Sequence, residues 1–191
     1  MPPKARITAE MIIEAAFAIV RKQGAEALNA RTIAQELGCS TQPVLYQFAT
    51  VEDVRKAAYA YADDFHSQSI MQGLEESPMS LLTLGQNYIR FAAQEQHLFR
   101  FLFQSAGLGS GNLLTLMEDP ALAPILGIIQ QAMAISPEAA KRIFTHLFLV
   151  VHGYASLLAN NPIPYDENEV SSLLDSAFNG ACAAEALPKE D

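Results

Sequence analysis

The sequence of 191 residues contains no tryptophan and only two cysteines, Cys39 and Cys182. The cysteines lie far apart and lack CxxC spacing, so neither metal nor disulfide chemistry is implied and both read as small buried hydrophobes. Long apolar runs are also missing. No stretch of about 18 residues escapes a charge or a strong breaker, and Met1 to Arg6 is basic and proline-bearing, unlike a signal sequence. The expectation is a cytoplasmic protein. Positive charge is scarce too: 12 Lys and Arg face 21 Asp and Glu, a formal net charge of -9. Such a chain cannot coat a polyanion along its whole surface, and any basic patch must be local.

Chemistry-bearing motifs are equally thin. There is no nucleophile-base motif, no glycine-rich phosphate loop and no metal-ligand spacing. His146 and His152 are six residues apart, a rotation of about 120° on a helix, and cannot chelate one metal from that helix alone. No catalytic residue, cofactor or metal is expected. An enzyme using Cys39, His97, His146 or His152 is the weaker alternative.

Half of the residues are apolar, enough for a real core. The breakers Gly24, Gly38, Pro78, Gly107 to Gly111, Pro120, Pro137, Pro162 and Pro164 cut the chain into helix-length pieces with almost no strand alternation. The predicted fold class is all-α. Charge is uneven: through Phe48 five bases meet four acids, a net of +1, whereas from Met71 onward five bases meet thirteen acids, a net of -8. Only the N-terminal end tolerates a polyanion.

Thr8 is a candidate N-cap for a first helix with Ile12, Ile13, Ala16, Ile19 and Val20 inward, ending at Gly24. Asn29 caps a second short helix with Ile33, Ala34 and Leu37 inward, and Gly38 ends it. Ser40 is expected to cap a third, Thr41 to Phe48, with Pro43 in its first turn. That helix is too short to stand alone and must be held by Val44 and Phe48, which leaves its other face free. Thr50 to Asp53 resembles a capping box, opening a long helix to about Ile70. Further helices are expected at Leu81 to Glu95, His97 to Ser105, Leu113 to Met117, Ala121 to Ile135, Pro137 to Ala159 and Glu167 to Ala186.

Two short helices joined by Gly38, Cys39 and Ser40, braced by an amphipathic helix, make a tri-helical helix-turn-helix. Gly24, Ile33-Ala34, Leu37-Gly38, Ser40, Phe48 and Glu52-Asp53-Val54 stand in a spacing that resembles the N-terminal domain of the TetR family, over residues 7 to 65. Leu45, Gln47 and Val51 depart from it, standing where that family usually has tyrosine, histidine and a phosphate-binding lysine. Tyr88 to Ala92, His97 to Arg100 and His152-Gly153 are similar to the C-terminal domain of one TetR subgroup. The resemblance implies a DNA-binding head at residues 1 to 50, a connecting helix at 51 to 70, and an effector-binding and dimer-forming domain at 71 to 191.

Residue chemistry supplies candidate roles. Thr41 and Gln42 are placed to read base edges, since glutamine bridges adenine N6 and N7 and the threonine methyl meets thymine. Tyr46 and Gln47 follow on the same helix. Lys4, Arg6 and Arg31 provide positive charge, and Ser40 a neutral phosphate contact. For an apolar effector the candidates are Phe91, Phe99, Phe103, Met117, Met133, Phe148 and His152; aromatic stripes at helical spacing also serve as plain core. The segment 137 to 159 is apolar on nearly every face and so should be buried all round. The expected two-fold four-helix interface uses Phe144, Phe148, Val151, Tyr154, Ala155, Leu158, Leu174 and Phe178, with Gly153 and Ala155 allowing close approach. Function is then that of a homodimeric, ligand-responsive transcription regulator, a repressor on palindromic DNA released by a small apolar effector. A protein-interaction module that keeps the helix-turn-helix as scaffold is the alternative.

Overall fold

A computed structural model of the chain describes residues 7–73, 80–105 and 120–186. Among the described residues the architecture is all-α, with nine α-helices and no strand. They are α1 (Ala9–Gln23), α2 (Ala30–Glu36), α3 (Thr41–Gln47), α4 (Val51–Ile70), α5 (Ser80–Gln94), α6 (Gln96–Phe103), α7 (Ala123–Met133), α8 (Pro137–Asn160) and α9 (Glu167–Ala186). The helix expected at Leu113 to Met117 lies outside the described residues. The chain forms two compact units, Met1–Gln68 with Glu95–Gly109, and Ser69–Gln94 with Ser110–Asp191.

In the first unit local signals set the helix starts. The Thr8 hydroxyl accepts from the Met11 amide at 3.3 Å. Asn29 accepts from the amides of Arg31 and Thr32, both at 3.0 Å, while the Thr32 hydroxyl accepts from the Asn29 amide at 3.1 Å. Thr50 and Asp53 make the same reciprocal pair ahead of α4. Each cap takes one or two of the amides left unpaired in its helix's first turn. Ile12, Ile19, Val20, Ile33, Val44, Val54 and Ala58 then meet in one core.

Helix α6 joins this core, although the sequence expectation grouped it with residues 71 to 191. Eight residues are too few for an autonomous helix, and Leu98, Phe99, Phe101 and Leu102 all need cover. They find it on the N-terminal helices. Arg21 of α1 forms a two-pronged pair with Glu95, its Nε donating to Oε2 at 2.9 Å and its Nη2 to Oε1. The Tyr59 hydroxyl donates to the Leu102 carbonyl at 3.1 Å.

The second unit packs α5, α8 and α9 together, with α7 against α8. Tyr88, Ile89 and Phe91 of α5, Ile143, Val151 and Leu158 of α8, and Val170 and Leu174 of α9 are buried. Arg142 grips Glu185 through two hydrogen bonds of 2.6 Å, and Arg90 reaches Glu167 at 3.0 Å. By length and composition alone α8 could cross a membrane, contrary to the expectation that no segment could. It behaves here as a core helix, with Lys141 and Arg142 in its second turn and its inner face on α5 and α9. It is not buried all round. His146, Leu149, Gly153 and Leu157 form an outer stripe, with Leu149 51% and Leu157 53% exposed. Cys39 and Cys182 are free and only half-buried.

Candidate nucleic-acid interface

The turn between α2 and α3 is closed by backbone alone. The Cys39 amide donates to the Ala34 carbonyl at 2.9 Å and the Gly38 amide to the Gln35 carbonyl at 3.2 Å. This double closure needs a left-handed residue at Gly38, which has φ +62°, a conformation costly for any side-chain-bearing residue. The chain leaves the turn directly into α3. Ser40 is extended but its hydroxyl caps nothing, unlike the expectation. Pro43 at the third helical position removes one of the two amides an N-cap hydroxyl can take, and the remaining one, that of Gln42, is not used either.

Val44 anchors α3 from behind at 1% exposure, while Thr41, Gln42, Leu45 and Tyr46 face outward. Tyr46 is 79% exposed and Leu45 51%. Leu45 was absent from the sequence candidates. Its spacing of four from Thr41 is the signal that places it on the same face. Arg31 is exposed on α2.

Gln47 takes a different place from the one expected. Its Nε2 donates to the Ile7 carbonyl at 3.1 Å, so the amide ties the chain ahead of α1 to the end of α3. Lys4 and Arg6 lie outside the described residues. At the start of α4, where the helix dipole could draw a phosphate, Glu52 and Asp53 occupy the first turn and the Asp53 carboxylate already takes the Thr50 amide. The anion site there is filled from within the chain.

The effector candidates separate. Phe99 and Phe103 belong to the first unit, where their rings lie 4.9 Å apart and Phe103 meets His66 edge-on at 5.1 Å. Phe91 is buried on α5, and Met117 lies outside the described residues. Met133 and Phe148 do come together, both packed on the cluster of Ile129, Ala140 and Phe144. His152 stacks on Phe148 at 5.4 Å, and its Nδ1 lies 2.9 Å from the Tyr88 hydroxyl. Burial raises the Tyr88 phenol and lowers the His152 imidazole, so the pair is a neutral phenol against a neutral ring. Tyr88 was missed because a lone tyrosine on an apolar helix carries no signal of its partner.

Of the dimer candidates, Phe144, Val151, Ala155, Leu158 and Leu174 are covered by their own chain, while Phe148, Tyr154 and Phe178 are half-buried. Periodicity located the apolar positions correctly without telling which neighbour covers them.

Residues 81–179 match the family described as the tetracyclin repressor-like C-terminal domain. Among solved structures, a TetR family member from Streptomyces coelicolor is similar at a TM-score of 0.57 and 22% identity, over 88% of this chain and 96% of that one. No curated protein matches the chain at a significant level. With the family's C-terminal domain matched over more than half its length, the chain belongs to the TetR family of DNA-binding transcriptional regulators.

Proposed function

We propose that the chain is a homodimeric, cytoplasmic repressor that reads a palindromic operator through α3 and is released by a small apolar effector. The observation that supports DNA reading is the outward face of α3, where two polar side chains and two large exposed ones share one side of a helix anchored by Val44. Gln42 offers a bidentate pair to adenine, and Thr41 and Leu45 offer methyl groups to thymine. Arg31, with Lys4 and Arg6 ahead of α1, neutralises phosphates. Residues 1 to 50 act as the head and 51 to 70 as the connecting helix, with effector and dimer surfaces in 71 to 191.

For dimerisation the outer stripe of α8, with Leu149, Gly153 and Leu157, is better suited than the buried side of the same helix. The exposed small residues Ser172, Ser176 and Gly180 of α9 allow a second copy to approach closely, giving a two-fold four-helix contact. The effector meets Met133, Phe148 and His152, with the Tyr88 hydroxyl orienting the imidazole.

Selection of bound sequences from fragmented genomic DNA at about 0.1 M salt tests this reading. An enriched palindrome with half-sites one helical turn apart, about 34 Å, is expected. The second reading, an interaction module, draws on the exposed Leu45 and Tyr46 and on the acidic first turn of α4. Selection without enrichment would favour it.

A further inference from the structure

Within the first unit, a cleft of about 540 Å³ opens between the end of α1, the following turn, α4 and α6, a size typical of small-molecule sites. We propose that this cleft binds a small oxyanion-bearing metabolite, a carboxylate or phosphate compound, chemically distinct from the apolar effector and independent of the DNA-reading role. Its lining is rich in donors: Arg55 from α4, and His97, Arg100 and Gln104 from α6 and its end, against one lining carboxylate, Glu26, while Glu52 lies 3.8 Å from the Arg55 Nε.

The donors are held in place by the chain. An Nη of Arg55 donates to the Ala25 carbonyl at 3.3 Å, fixing the guanidinium beside the turn. Arg100 lies 2.9 Å from His97 Nδ1. A guanidinium can only donate, so Nδ1 accepts and the ring's own N–H sits on Nε2. Gly24 makes room for that ring: a Cβ there would come within 3.1 Å of Nδ1, and its φ of +90° already favours glycine. Two arginines and an imidazole N–H therefore line one concave surface, where fork-shaped guanidinium donors match the geometry of carboxylate and phosphate oxygens.

Isothermal titration calorimetry of the full chain at constant ionic strength, with citrate in one arm and inorganic phosphate in the other, tests the proposal. Saturable binding of one equivalent per chain is expected from at least one probe below about 10 mM, and which probe binds separates a carboxylate from a phosphate ligand. Arg100→Gln and Arg55→Gln should each weaken it at least about tenfold. Lys141→Gln, a change in the other unit, should leave it unaltered. Circular dichroism confirms the fold of each variant, and His97→Gln, which retains a side-chain N–H donor, serves if an arginine variant unfolds and is expected to retain the stoichiometry. No saturable binding of either probe, or equal affinity in wild type and in every folded arginine variant, overturns the proposal.

Discussion

Mild acid should cost this protein stability through one imidazole. His66 lies on the inner face of α4 at 6% exposure, edge-on to the Phe103 ring. Burial pushes its pKa from 6.5 down to about 4. A histidine whose folded value is depressed binds its proton more readily when unfolded. Its contribution is therefore intact above about pH 6.5 and falls away as the pH drops toward 4. Between about pH 7.5 and about pH 5 the linkage relation gives a loss of about 2 kcal/mol. At a urea slope of about 2 kcal/mol/M, that moves the unfolding midpoint by about 1 M. His66→Phe keeps a ring against Phe103 without a titrating group, and His66→Leu guards against poor fit of the larger ring. His152, also lowered by burial, acts in the same sense in all three proteins and cancels in the comparison. Urea unfolding followed by far-ultraviolet circular dichroism at the two pH values reads the difference. If wild type and both variants lose equal stability, His66 is not the group responsible and the reasoning fails.

Gln42→Ala should weaken operator binding by about 1 to 3 kcal/mol and relax preference at one base step, leaving random DNA unaffected; equal losses on both would contradict base reading. Arg31→Ala should instead weaken all duplexes and lower the salt slope by about one, as measured by fluorescence anisotropy. Asn29→Ala removes the acceptor shared by two α2 amides and should cost about 1 kcal/mol in thermal unfolding, with loss of operator affinity as α2 frays. Leu149→Glu combined with Leu157→Glu should yield a folded monomer in sedimentation. Leu158→Glu, which places a charge in the interior, should unfold the chain.

Features decided within a few residues were legible in the sequence. Thr8, Asn29 and the Thr50–Asp53 pair announce helix starts through their own chemistry, and α4 ends at Ile70 and α9 spans Glu167–Ala186 as the apolar periodicity requires. The outward placement of Thr41, Gln42 and Tyr46 follows from the same periodicity once Val44 is taken as the anchor. Features decided by distant neighbours were not legible. A helical repeat marks Phe144, Val151 and Leu158 as apolar, yet only the packing of α5 and α9 shows that this side is used within the chain and that Leu149 and Leu157 are left outside. The place of α6 in the first unit comes from burying Leu98, Phe99, Phe101 and Leu102 against helices far away in sequence, with Arg21 meeting a glutamate 74 residues away beside them. Gln47 illustrates the same limit from the polar side, because nothing in its local sequence shows that the Ile7 carbonyl lies within reach. Ser40 shows that a local signal can also fall short: it stands extended at the N-cap position, with the Gln42 amide in place, yet its hydroxyl caps nothing.

The central claim is that α3 reads DNA sequence, and the most direct test is the affinity of the purified protein for one selected site and for random duplex across a salt series. The account predicts a site bound at least about a thousandfold tighter than random DNA, with affinity for both falling linearly on logarithmic axes as salt rises. Equal affinity for the two duplexes, or binding indifferent to salt, would contradict it.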